Sequence, residues 1–100
     1  MRDIKKAIRQ CVETGRVVFG VKQSIRSAKL GDAHMLIVSS TCPRAFVEDI
    51  KYYAKLSNIP VYEFPGTSRE LGSASGKPFT ISAMAILDPG KSEILSRWRG

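Results

Sequence analysis

Two hydrophobic periods alternate along this chain. Ile4, Ala7, Ile8, Cys11 and Val12 recur at i, i+3, i+4, i+7 and i+8, which is one apolar face of a helix. The spacing predicts a helix over 3–14, with Asp3 as its N-cap and Gly15 as its stop. Val17, Val18 and Phe19 are β-branched or aromatic and suit a strand. Gly20 is the only joint before a second helix, 21–30, whose stripe is Val21, Ile25 and Ala28 and which Gly31 closes. Met35-Leu36-Ile37-Val38 is a continuous apolar run, as in a strand covered on both faces. Pro43 suits the first turn of a helix. Phe46, Ile50, Tyr53 and Ala54 carry that helix to about Ser57, with Glu48 and Lys51 spaced to pair on its outer side. Asn58-Ile59-Pro60 ends it, and Val61 to Phe64 reads as a third strand. Thr67-Ser68-Arg69-Glu70 has the capping-box pattern and opens a short helix ending near Gly76. Ile81 to Leu87 is the fourth strand. Lys91 to Gly100 is a basic tail carrying Trp98, compatible with a short strand or a turn.

The order is αβαβαβαβ. Such alternation implies a mostly parallel or mixed sheet between helical layers. The expected fold is α/β: a three-layer α/β/α sandwich around four strands, with residues 1–100 as a single domain.

Composition narrows the function. The 16 Lys+Arg against 9 Asp+Glu leave a net charge of +7. In a small domain that excess points to a polyanion, nucleic acid before an acidic membrane. No apolar run reaches the length of a membrane span, and Met1 to Lys6 lacks the apolar core of a signal peptide. The expected location is therefore cytoplasmic. Cys11 and Cys42 have no metal-ligand spacing and read as free thiols. With one histidine, His34, a structural zinc site is not expected. Neither metal nor cofactor is expected, and the free protein reads as a monomer.

The unusual residues gather in three loops, 19–23, 39–44 and 75–80. The first two lead from a strand into a helix, and such loops cluster along one sheet edge. The third leads from a helix into a strand. A parallel strand would put it at the far edge and an antiparallel one would bring it back, and pattern alone leaves both open. An enzyme reading rests on Cys42, beside Pro43 at a helix N-terminus where the dipole lowers a thiol pKa. No histidine, second cysteine or carboxylate pair supports it. A phosphate-loop reading lacks the Lys-Ser/Thr that must follow the glycines. A nucleic-acid reading uses all three loops. Lys22, Arg26, Arg44 and Lys77 supply phosphate contacts, Gln23 and Thr41 supply hydrogen-bonding tips, and Pro78 and Phe79 supply a flat apolar surface for an unstacked base. By spacing, Phe79 reads first as a core residue at the mouth of the fourth strand. Gly72, inside a helix at a cost of about 1 kcal/mol against alanine, suggests a close approach by another backbone or a ligand.

Five segments in register carry a resemblance across nearly the whole chain. They are Gly15-Arg16-Val17-Val18-Phe19-Gly20-Val21-Lys22-Gln23-Ser24, Glu48-Asp49-Ile50-Lys51-Tyr52-Tyr53-Ala54-Lys55-Leu56-Ser57, Ile59 to Phe64, Gly66 to Gly72, and Gly76-Lys77-Pro78-Phe79. Together they resemble the kink-turn-binding ribosomal protein superfamily, and within it the archaeal and eukaryotic large-subunit ribosomal protein thirty family. The resemblance implies a mixed sheet, which would bring the third loop beside the other two. It implies a partner: a kink-turn or purine-rich internal loop of ribosomal RNA, where tandem sheared G·A pairs bend the helix. It also implies neighbouring large-subunit proteins as partners, and a place in the ribosome. By resemblance Gly20, Lys22 and Gln23 match the family's strand-to-helix RNA contact. Thr41, Pro43 and Arg44 match its second loop, and Gly72 and Gly76 to Phe79 match the third, where the aromatic ring stacks on a base. Thr41 stands where members often carry asparagine, and Ser75 replaces an often apolar residue, which makes the third loop more polar. A sister, the multifunctional kink-turn protein of guide-RNA particles, is the alternative. It typically carries Asn-Glu where this chain has Lys22-Gln23.

Overall fold

The computed structural model describes residues 3–98. Met1, Arg2, Arg99 and Gly100 lie outside the described residues, and with them the ends of the N-terminal segment and of the basic tail. Helices α1 (Ile4–Thr14), α2 (Val21–Leu30), α3 (Arg44–Leu56), α4 (Ser68–Ala74) and α5 (Ile94–Arg97) alternate with strands β1 (Arg16–Phe19), β2 (Met35–Val38), β3 (Val61–Glu63) and β4 (Ala83–Asp88). The sheet order is β1-β4-β2-β3. β2 and β3 are parallel, whereas β4 runs antiparallel to both β1 and β2. The sheet is therefore mixed.

The pleat sorts its residues onto two faces. Phe19 pairs with Met84, and Met84 with Ile37; Met35 pairs with Ile86. These face a cluster with Ala7, Ile8 and Cys11 of α1, Leu71 of α4 and Ile94 of α5. On the other face Leu36, Val38, Ala83 and Ala85 meet Ala28 of α2 and Ile50 and Ala54 of α3. All four β2 residues are buried, as the continuous apolar run requires of an inner strand. Helices thus cover both faces, giving three layers.

Local signals explain most boundaries. Asp3 Oδ1 accepts the Lys6 N–H at 3.2 Å. Gly31 takes φ +72° and closes α2. The capping box is complete: Glu70 N–H donates to Thr67 Oγ1 at 3.1 Å, and Thr67 N–H to Glu70 Oε1 at 2.9 Å.

Several expectations are corrected. Gly15 does stop α1, as its C-cap, but with φ −117° rather than in the left-handed region that often ends a helix. It is needed because a Cβ there would collide with the Asp88 carbonyl. The buried face of α2 is Ser24, Ser27 and Ala28, with Val21 and Ile25 only at its margin. The sheet offers Ala83 and Ala85 opposite, and small residues on both sides let helix and sheet approach closely. Phe46 is 42% exposed. Val47 takes its place in the inward stripe of α3, beside Ile50, Tyr53 and Ala54 as expected. Lys51 does not pair with Glu48. It reaches Glu63 Oε2 at 2.7 Å, while Arg44 lies 3.5 Å from Glu48. Pro43 is the N-cap of α3 rather than its first turn. The fourth strand begins at Ala83, and the tail forms the short helix α5. Ile94 buries that helix against the core, and Ser92 Oγ, just before it, donates to the Ala7 carbonyl at 2.7 Å.

Candidate nucleic-acid interface

The antiparallel β4 settles which edge the third loop occupies. Its N-terminal end lies between the C-terminal ends of β1 and β2, at the same sheet edge as the C-terminal end of β3. The neighbouring loops hang from this one entrance by backbone hydrogen bonds. Gly20 N–H donates to the Ala83 carbonyl at 2.8 Å, and Ser39 N–H to the Ser82 carbonyl at 2.9 Å. Ile81 N–H donates to the Ser68 carbonyl at 3.0 Å.

In the first loop Gly20 caps α2 with φ +102° and ψ 157°. A Cβ there would meet nothing within 4 Å. The backbone conformation, not crowding, therefore favours glycine. Lys22, Gln23 and Arg26 are exposed on the first turns of α2. Among the described residues no carboxylate lies within ion-pairing distance of Lys22, Arg26 or Lys77, so these cations are uncompensated.

In the second loop Pro43 and Arg44 are exposed. The Arg44 side chain is 88% exposed, and its 3.5 Å contact with Glu48 is a weak surface pair. Thr41 is exposed but already engaged: its Oγ1 accepts the Ser68 N–H at 2.9 Å and shares a second hydrogen bond with Ser68 Oγ at 2.9 Å. Cys42 is buried, and burial pushes its thiol above the ordinary value. This overturns the depressed pKa expected of it at a helix terminus, and with that the basis for a thiol nucleophile.

In the third loop Gly72 is buried, and a Cβ there would collide with the carbonyl of Phe79. The close approach foreshadowed by this glycine is thus backbone against backbone. Gly76 turns at φ +74° beside the Arg9 guanidinium. Ser75 does not make the loop more polar: it is buried, and its hydroxyl donates to the Leu71 carbonyl at 3.0 Å. Phe79 is 54% exposed and not part of the core. It rests edge-on against Phe19, with ring centroids 6.5 Å apart and planes at 84°. Lys77 Nζ stands 5.4 Å from the centre of the Phe19 ring. Arg69, Ser73, Lys77, Pro78, Phe79 and Thr80 line an open groove of about 460 Å³.

The expected site residues thus lie along one sheet edge, with Arg26 one turn further down α2. Two features escape sequence reading. Arg69 and Ser73, one helical turn apart, form a wall of the Phe79 groove. Spacing places them on one face, but nothing local says what that face meets. The other is a cluster of four hydroxyls, Ser39, Thr41, Ser68 and Ser82, assembled from three separate segments. Among the described residues no three His, Cys, Asp or Glu side chains are grouped to hold a metal, and no helix is long and apolar enough to cross a membrane.

The sequence has counterparts. Residues 2–96 match the model of the Ribosomal protein L7Ae/L30e/S12e/Gadd45 family. The large ribosomal subunit protein eL30 of Methanothermobacter thermautotrophicus is 54% identical over 93 residues, covering 93% of this chain and 95% of that protein. The protein of the same name from Methanobrevibacter smithii is 46% identical over 99 residues, covering 99% and 100%. That from Methanopyrus kandleri is 44% identical over 99 residues, covering 99% and 91%. A match spanning nearly every element, the three loops included, places this chain in the Ribosomal protein L7Ae/L30e/S12e/Gadd45 family.

Proposed function

We propose that the protein is a structural constituent of the large ribosomal subunit that holds a kink-turn or purine-rich internal loop of ribosomal RNA. It works in the cytoplasm, within the ribosome, beside other large-subunit proteins. It is not an enzyme, needs no cofactor, and is a single-domain monomer when free. The observation that carries this reading is the exposed Phe79 ring beside uncompensated cations, on an edge where three loops share one backbone anchor.

Each group then has a task. Lys22, Arg26, Arg44 and Lys77 neutralise phosphates and fix the register of the RNA. Gln23 and Thr41 face base edges that a bent helix exposes. Phe79, with Pro78 restricting the backbone before it, offers a stacking platform for a base splayed out of the helix. Gly20 lets α2 begin directly after β1, so backbone and RNA approach without a side chain between them. Gly72 and Gly76 bring the Phe79 turn against α4. The relatives named large ribosomal subunit protein eL30 support the ribosomal assignment.

The test is direct binding to a kink-turn RNA and to the same RNA with its sheared G·A pairs replaced by Watson–Crick pairs. The first should bind at least tenfold more tightly, and the native protein should sediment with large ribosomal subunits. Equal affinity for the two RNAs would refute recognition of the bend.

A further inference from the structure

The sequence marks Ser68 only as the residue after an N-cap, yet the fold makes it the meeting point of the second loop and the residues that directly follow the third. Its Oγ lies 2.7 Å from Ser39 Oγ, 2.9 Å from Thr41 Oγ1 and 3.0 Å from Ser82 Oγ. A hydroxyl has one proton to donate and two lone pairs to accept with, so three neighbours saturate it. The backbone of Ser68 is committed as well. Its N–H donates to Thr41 Oγ1 at 2.9 Å, and its carbonyl accepts the Ile81 N–H at 3.0 Å. Every polar group of this residue therefore joins the 39–41 segment, α4 and the 81–82 segment.

We propose that Ser68 is a positioning residue for RNA recognition, which locks the Thr41–Arg44 loop against the segment carrying Phe79 and orients the Thr41 hydroxyl. The proposal rests on the RNA-binding reading above. Thr41 accepts the Ser68 N–H with one lone pair. When Ser68 Oγ–H also donates to it, both lone pairs are filled and Thr41 offers the RNA only a proton. When Thr41 donates to Ser68 instead, it offers the RNA only a lone pair. Ser68 has one proton to share among Ser39, Thr41 and Ser82, so the polarity that Thr41 presents is set at Ser68. Ser39 makes the node costly to lose: it is 4% exposed, and Ser68 Oγ is the partner of its hydroxyl.

A double-mutant cycle tests this. Affinity for a kink-turn RNA is measured for the wild type, Ser68→Ala, Thr41→Val and the double variant, with melting temperatures in parallel. Ser68→Ala should bind about fivefold more weakly, the loss of one neutral hydrogen bond. The double variant should bind no more weakly than the worse single one, because Thr41 is already misplaced once Ser68 is gone. Losses that multiply would overturn the proposal. So would a Ser68→Ala protein that melts lower but, while folded, binds as the wild type does. Should Ser68→Ala not fold, Ser82→Ala replaces it in the cycle, since coupling from Ser82 to Thr41 passes through the same oxygen; multiplicative losses there overturn the proposal equally. A wild type that bound no kink-turn RNA would remove the RNA reading and this role together, whereas a binding wild type with uncoupled variants removes this role alone.

Discussion

Replacing Phe79 by alanine separates a platform for RNA from a piece of the core. The ring is 54% exposed, so roughly half of the ~1.5–3 kcal/mol of full side-chain burial is at stake, about 1 kcal/mol. The edge contact with Phe19 adds ~0.5–1.5 kcal/mol. The expected stability loss is about 2 kcal/mol or less, against ~3–5 kcal/mol for a phenylalanine cut from a core. At ~4–8 °C per kcal/mol for a domain of this size, the melting temperature should fall by about 5–15 °C. RNA affinity should suffer more. A stacked base contributes ~1–3 kcal/mol, and the middle of that range is about thirtyfold in Kd. Calorimetric melting gives the first quantity and titration of a kink-turn RNA the second. Stacking releases no counterions, so the ratio of mutant to wild-type Kd should hold as salt is raised. A variant with wild-type affinity while folded would refute the stacking role, whatever its stability.

Gly72→Ala should lower the melting temperature and weaken RNA binding together, by about 1–3 kcal/mol of stability for a forced backbone shift, because the new Cβ meets the Phe79 carbonyl; a stabilised protein would show that the turn yields freely. Lys22→Ala should reduce the slope of log K against log salt by roughly 0.7–0.9 if the lysine meets one phosphate, and an unchanged slope and affinity would take it out of the interface. Glu63 is held below its ordinary value of 4.5 by the hydrogen bond and charge of Lys51. A depressed carboxylate stabilises the fold above its unfolded pKa and loses that contribution as pH falls through its folded pKa. Glu63→Gln should therefore melt slightly below the wild type at neutral pH, with the gap closing in acid and in high salt; a gap that widens on acidification would contradict the pairing.

What could be read in advance was what neighbours in sequence decide. α2 is bracketed by Gly20 and Gly31, and its limits followed from those residues. β2 declared itself by four consecutive apolar residues, and α4 by its capping box. What could not be read depends on residues far apart in sequence. The direction of β4 decides whether one loop lies beside the others or across the molecule, and an almost wholly apolar run reads the same in either direction. The small buried face of α2 makes sense only opposite Ala83 and Ala85. α5 has one turn and no period, and it is helical because Ile94 finds the core. At the interface, the charged and aromatic residues stand out by chemistry. Ser68 does not, because a serine acquires its role from the three hydroxyls the fold brings to it.

The placement of β4 between β1 and β2 also bears on the birth of the molecule. A chain leaving the ribosome exposes β1 and β2 early, yet neither can pair with the other, because β4, which joins them, follows both in the chain. Until Asp88 has emerged, the loops that begin at Gly20 and Ser39 have no common anchor, and closing them against a partner over sixty residues away from β1 is slow compared with local helix formation. A chain stopped after Thr80 should therefore show little native helix packing in near-ultraviolet circular dichroism and no affinity for a kink-turn RNA. A new molecule can grip RNA through these loops only once β4 has been made, so recognition doubles as a check that the sheet has closed.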